Sequence, residues 1–337
     1  MTTAKDVAAY AGVSTATVAR VVGGYGYVSE ETRRRVLEAV RALNYHPNAI
    51  ARSMVKGSTN TIGLVVSDTA NPFYPDVIRG VEDVCHRAGY NVILCNSDED
   101  VEKEQRYLRV LMAKQIDGLI MTTTSDGVSY LLDITQRKIP VVMLDRAPKG
   151  SGFDSVTVDN RGGAYEAVQH LIKLGHRRIG VITAPTRIWT SNERLEGYKM
   201  ALKEHGIPIQ SELIYQDDRK EEGGYRGAMR LMGIDNPPTA LFTTNNLRTV
   251  GALRYLKERG VNIPKQLSII GFDDQSWMGL LDPPLTVVAQ PAYFLGTSAG
   301  ELLVQRLQGK APMEEQVVVM KASLVVRKSC APPSGHS

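Results

Sequence analysis

At 337 residues, with 43% hydrophobic and 23% charged side chains, the chain has room for two or more globular domains. Its longest apolar runs, TIGLVV and QVVVM, fall well short of the roughly 18 residues a membrane span requires, and its start lacks the charged and apolar blocks of a signal peptide, so a cytoplasmic protein is expected. Residues 1–60 hold eight basic and four acidic side chains, a surplus that accounts for the whole net charge of +4 and marks that end as the place where a polyanion would be met.

The three cysteines form no CxxC pair, and the six histidines show no metal-ligand spacing, so neither a disulfide framework nor a metal site nor another cofactor is indicated.

The first elements are helical. AKDVAAYAG places Val7, Ala8 and Ala11 on one face and stops at Gly12, and STATVARVV opens on a Ser14 cap with Val18, Val21 and Val22 inward. SEETRRRVLEAVRALNY starts at Ser29, carries acids in its first turn, and repeats Val36, Val40 and Leu43 at helical spacing. The first two helices and the glycine between them have the order of a helix-turn-helix. Thr15, Ala16, Thr17 and Arg20 then lie on the side away from the valines. Arg20 has the fork that recognises guanine O6 and N7, and the Ala16 methyl suits a thymine methyl. The pattern alone also fits a small three-helix domain that packs on a protein.

After HPNAIARSMVKGSTN the periodicity changes. TIGLVVS, NVILCN, DGLIMT, VVMLD and SVTVDN read as buried strands separated by amphipathic helices, and the series repeats from RIGVITA through LIYQD, ALFTTN, LSIIGFDD and LTVVAQ. Strand and helix in alternation predict parallel sheets covered on both faces, and two such runs predict two Rossmann-like lobes with a ligand cleft at the carboxyl ends of the strands. NPFY follows the first strand, where Phe73 and Tyr74 are either cleft walls or core. The closing CAPPSGHS is expected to be disordered.

Three stretches, TAKDVAAYAGVSTATVARVV, YVSEETRRRVLEAVRALNYHPNAIARS and TNTIGLVVSDTANPFY, resemble the opening of the LacI/GalR family of bacterial transcription regulators. The likeness continues through GHRRIGVITAP, RLEGY, IIGFDD and PPLTVVAQP. The resemblance implies a small all-α helix-turn-helix headpiece, residues 1–46, and a hinge helix or linker, 47–59. An α/β core of two Rossmann-like lobes, related to periplasmic binding proteins, would follow over 60–330, with a tail at 331–337. It implies a repressor that binds pseudopalindromic double-stranded operator DNA as a homodimer and responds to a small effector. Without the leucine-heptad tail of tetrameric members, a dimer is expected.

Carried over by position, the base-reading residues are Thr15, Ala16 and Arg20, with Tyr27 near the groove edge, and Ser14, Thr17 and Asn48 meet phosphates. Ala51 and Met54 are the minor-groove residues of the hinge, Met54 standing where a wedging leucine is typical. The chain departs from the family at Ala19, commonly serine, and at Gly23, usually asparagine. Polar effector contacts are implied at Asp145, Thr190, Arg194, Asn245 and Asp273, a set suited to a hydroxyl-rich ligand.

Trp189 is expected either to stack on a sugar face or to fill core. Arg219 stands where many members carry an aromatic wall, and it either meets an acidic or phosphorylated effector or pairs with Asp217 or Glu221. Two other classes are weighed. An enzyme is disfavoured, because no GxGxxG after the first strand, no P-loop and no paired-histidine signature is found. A solute-binding protein would need only residues 61–330 and leaves the basic headpiece without a role.

Overall fold

The computed structural model describes residues 2–46, 58–124, 129–148 and 150–334, and the chain divides into two compact units, Met1–Asn60 and Thr61–Ser337. The hinge positions Asn48, Ala51 and Met54 lie outside the described residues.

The first unit is three helices, α1 (Ala4–Ala11), α2 (Thr15–Gly23) and α3 (Glu30–Ala42). Each starts on a hydroxyl cap: Thr3 in a reciprocal box with Asp6, Ser14 accepting from the Thr17 amide, and Ser29 accepting from the Thr32 amide. Gly12 ends α1 in the left-handed region at φ +63°, which a residue without Cβ adopts freely. Val7, Ala8, Ala11, Val18, Val21, Val36 and Ala39 are buried together as its core, and Val22 is half-buried. The Arg35 guanidinium donates to the carbonyls of Ala11 and Gly12, which locks α3 against the turn.

The second unit begins with β1 (Thr61–Val66), α4 (Tyr74–Arg87), β2 (Asn91–Asn96), α5 (Val101–Ala113), β3 (Gly118–Met121), α6 (Leu132–Gln136), β4 (Val141–Leu144) and β5 (Asp154–Val158). It continues through α7 (Asn160–Lys173), β6 (Ile179–Thr183), α8 (Trp189–Glu204), β7 (Ile214–Gln216), α9 (Lys220–Met232), β8 (Ala240–Thr243), α10 (Asn246–Glu258), β9 (Ser268–Phe272) and β10 (Thr286–Ala289). It closes with α11 (Ala292–Leu307), β11 (Val317–Met320) and β12 (Ser323–Val325). Two six-stranded sheets result, ordered β11-β5-β4-β3-β1-β2 and β12-β10-β9-β8-β6-β7. In both, the order reverses beside the first strand of the run, the place where open α/β sheets form a crevice.

The strict alternation expected from the sequence breaks twice. Between β4 and β5, and again between β9 and β10, no described α-helix intervenes. The missing cover comes from the other run: α11 packs on β3, β4 and β5, while α7 packs on β8, β9, β10 and β12. Each lobe therefore needs a helix from the opposite half of the chain. QVVVM is also more than an apolar run, because β11 pairs parallel with β5, whereas β12 runs antiparallel to β10. Helix α11 crosses α4 backbone to backbone: a Cβ on Gly296 would stand 2.0 Å from the Val77 carbonyl oxygen. No other residue fits there without separating the helices.

The tail differs from expectation as far as Ser334. His176, 1% exposed, holds the Thr239 hydroxyl at 2.8 Å through Nδ1 and the Ala331 carbonyl at 2.9 Å through Nε2. A carbonyl can only accept, so Nε2 carries the proton of a neutral ring. Ala331 in turn donates its amide to the Ser268 hydroxyl. Burial pulls the imidazole below its ordinary 6.5. The stability this group provides is therefore complete above that unfolded-state value and is lost as pH falls through the lower folded one. Melting temperature should drop as pH falls below the ordinary 6.5, and His176→Gln should flatten that part of the profile. An equal drop in the variant would assign the effect to other groups.

Candidate nucleic-acid interface and effector cleft

On the headpiece, the caps and the valine core orient α2 so that Thr15, Ala16, Ala19 and Arg20 all face outward. Thr17 is half-buried, with its hydroxyl 2.9 Å from that of Ser14. Two of the three residues implied as phosphate contacts are thus also each other's partners at the helix start. Tyr27 is 91% exposed, as an edge contact requires.

The cleft in the second unit is built around two aspartates in matched positions. Asp145 follows β4 and Asp273 follows β9, and both adopt left-handed backbone, φ +64° and +77°. Each donates its amide to the neighbouring strand, Asp145 to Val156 and Asp273 to Val288. The unusual backbone turns both carboxylates inward, and both are almost fully buried. Burial pushes the Asp145 carboxyl above its ordinary value, partly offset by Arg146 and Arg194. Asp273 instead accepts from the Asn246 amide at 3.2 Å and from the Gln290 side chain.

Arg194, on α8, lies 3.7 Å over the Phe272 ring and donates to Asn160 Oδ1 at 2.7 Å and to the Thr244 carbonyl at 2.6 Å. Burial lowers its pKa, and Asp273 and Asp145 act against that shift. Arg146 grips Glu99 with two bonds of 2.7 Å; although burial opposes its charge, this pairing raises its pKa. Arg248 is 4% exposed, donates to the Asp217 carbonyl at 2.6 Å, and is brought down to about 10 by burial.

Six buried side-chain polar atoms among the described residues lack a hydrogen-bond partner, and four belong to residues of this cleft: Asp145 Oδ1, Arg146 Nε, Arg248 Nε and Gln290 Oε1. Two are acceptors and two are donors. Leaving such atoms unpaired costs about 1–3 kcal/mol each, so their clustering marks where a ligand would supply the bonds.

The two lobes meet across the cleft through Lys220 Nζ on Asp68 at 2.6 Å and the Asn246 side-chain amide donating to Asn71 at 2.8 Å. The cavity between them is about 70 Å³, against roughly 300–1,000 Å³ for a typical small-molecule site. Five acidic and four basic side chains line it.

Of the effector residues expected from the sequence, Phe73, Tyr74, Asp145, Thr190, Arg194, Asn245 and Asp273 are brought together around this cavity. Phe73 and Tyr74 fill both roles considered for them: they pack edge to face at 5.2 Å, are buried in the core, and line the cavity. The Tyr74 hydroxyl lies 2.7 Å from that of Ser67, and burial pushes the phenol up. Asn245 also caps α10, its side-chain oxygen accepting from the Arg248 amide.

Two residues named for the effector stand outside this lining, and for Arg219 the structure shows the alternative pairing with Asp217. Arg219 does not line the cavity; it is half-exposed and held by Asp217 through bonds of 3.0 and 2.8 Å. Those bonds keep the Asp217 carboxyl well below the usual carboxylate range. Trp189 is half-buried at the start of α8 and is also absent from the lining, which takes Ile188 and Thr190 from either side of it. Sequence reasoning missed Asp68, Asn71, Glu99, Arg146, Lys220, Arg248 and Gln290. For Arg146 there was a signal, a charged pair directly after the apolar VVML, and Gln290 likewise follows LTVVA.

Comparison with known proteins places both units. Residues 3–48 match the family of bacterial regulatory proteins called lacI, and residues 168–330 match the periplasmic binding protein-like domain. The HTH-type transcriptional repressor PurR of Photobacterium profundum is 38% identical over 98% of both chains. The lac repressor dimer bound to operator and the anti-inducer ONPF is 28% identical, with TM-score 0.86, covering 98% of this chain and 99% of that one. A complex of the transcriptional regulator CelR with cellobiose is 31% identical, with TM-score 0.73, covering 98% of this chain and all of that one. With a lacI-type helix-turn-helix, a two-lobed binding-protein-like core and end-to-end likeness to transcriptional repressors, the chain belongs to the LacI family of bacterial transcription regulators.

Proposed function

We propose that this regulator is a cytoplasmic homodimer that represses transcription from a pseudopalindromic operator, and that an uncharged, hydroxyl-rich effector of the sugar class sets its operator affinity from the cleft. The four unpartnered buried atoms, two donors and two acceptors, carry the effector reading. A hydroxyl both donates and accepts and so completes either kind. The near-cancelling charges of the lining, and the engagement of Arg219 by Asp217, favour a neutral ligand over an acidic or phosphorylated one. Cellobiose, the ligand in the CelR complex, is of this chemical class.

The DNA half of the reading rests on the exposed face of α2 and the surplus positive charge of residues 1–60. Hinge residues Asn48, Ala51 and Met54 complete the interface in this proposal, with Met54 wedged between base pairs of the minor groove. Fluorescence anisotropy over a salt series is the test. A duplex recovered by selection from random sequence should bind at least about 1,000-fold more tightly than mixed-sequence DNA, and affinity should fall steeply with salt. Equal affinity for both would sink the regulator reading.

A calorimetric screen of neutral against phosphorylated sugars tests the cleft. Arg219→Ala should change the affinity of a neutral hit by less than about two-fold, since neither the half-exposed guanidinium nor its buried partner Asp217 lines the cavity. A ten-fold loss would return Arg219 to the ligand.

A further inference from the structure

The departure at Gly23 has a structural counterpart. At helical spacing, Ala16, Ala19, Arg20 and Gly23 share one stripe of α2, opposite the buried Val18 and Val21. A Cβ on Gly23 would stand 2.4 Å from Cε1 and 2.6 Å from Cδ1 of Tyr25. The Tyr25 ring therefore occupies the place on the stripe that a side chain at position 23 would take. Gly24, at φ +70°, ends the helix in left-handed backbone and lets the chain fold back. Gly26, at φ +72°, then passes beside the stem of Arg20, the position of its missing Cβ lying 3.6 Å from Arg20 Cδ. The phenol is 39% exposed, and its hydroxyl has no hydrogen-bond partner among the described residues.

We infer that Tyr25 is an additional DNA contact, its hydroxyl donating to a backbone phosphate at the edge of the major groove. The inference rests on the proposed operator binding by α2. In a helix-turn-helix the first residues of the recognition helix reach the bases, so a side chain folded onto its far end meets the groove edge. Tyrosine is among the side chains that donate to phosphate oxygens. The glycine at 23 and the tyrosine at 25 act as one unit: the first clears the surface on which the second lies. Because the hydroxyl is neutral, the contact adds affinity without displacing a counterion.

The test uses the full chain, with one duplex selected from random DNA and one of mixed sequence, by anisotropy at several salt concentrations. Tyr25→Phe removes only the hydroxyl and should weaken both duplexes by a similar factor, about five-fold, with the salt slope unchanged. Gly23→Ala forces the ring off the stripe while favouring the helix, so it should weaken binding without lowering the melting temperature. Adding Tyr25→Phe to Gly23→Ala should then cost nothing more. Unchanged affinity in Tyr25→Phe overturns the inference while leaving the family reading intact. Loss confined to the selected duplex also overturns it, because Tyr25 would then read a base. Failure of the parent protein to bind either duplex overturns the operator reading and this inference together.

Discussion

Arg194→Met should leave operator binding in place and abolish the response to effector. The guanidinium is 5% exposed, stacks on Phe272, and bonds to Asn160 and to the Thr244 carbonyl, so it is fixed before any ligand arrives. Methionine keeps much of the stem and removes the charge. Asn160 Oδ1 and the Thr244 carbonyl lose their donor, and Asp145 and Asp273 lose a buried counter-charge. Breaking a buried charged arrangement on one side costs about 3–5 kcal/mol, which should be visible as a lower melting temperature. Ligand affinity should fall by about 100-fold or more, the equivalent of one or two charge-assisted hydrogen bonds. Calorimetry with a neutral sugar that binds the parent protein measures this directly. Undiminished affinity in the variant would remove Arg194 from the effector site.

Arg20→Ala should produce the opposite separation, with the cleft untouched and operator recognition lost. The side chain is exposed on α2, and Gly26 lies along its stem, which restrains the guanidinium without covering it. A two-pronged contact to guanine is worth about 1–3 kcal/mol of discrimination, so affinity for the selected duplex should fall roughly 10- to 100-fold. Base preference should relax at one position of each half-site. Arg20→Lys retains the charge and loses the fork, so it should also relax that preference while keeping most of the salt dependence. A lysine variant that keeps full specificity would assign Arg20 to the phosphates.

The parts of this structure that obey local periodicity were legible in the sequence. The apolar faces of α1 and α2, the Ser14 and Ser29 caps, the nearly all-buried β1 and the fully buried β4 follow from spacing and composition. What depends on contacts distant in sequence was not. The covering of β3–β5 by α11 leaves no trace near residue 118 or 154, because the helix that buries those strands begins at Ala292. Asp145 and Asp273 were placed in the cleft by resemblance alone; strand-end position does not reveal the left-handed backbone that aims them inward. Arg219 shows the converse. Its position left the ligand and pairing with Asp217 or Glu221 both open, and only the folded chain shows that Asp217, two residues away, holds it. Arg248 was hidden by its setting within NNLRTV, an ordinary amphipathic stretch whose buried side becomes clear only once α10 is packed.

The bonds Lys220–Asp68 and Asn246–Asn71 bear on dose as well as on shape. A cavity of about 70 Å³ admits no disaccharide, so a ligand of that size enters only after these contacts part. If each is worth about 1 kcal/mol net, the parted form makes up only about 3% of molecules. Any ligand that requires it then binds about 30-fold more weakly than its contacts alone would give. The concentration at which the regulator responds is set in this way by two polar bonds between lobes as well as by the groups that grip the ligand, and substitutions at Lys220 or Asn71 would shift that threshold.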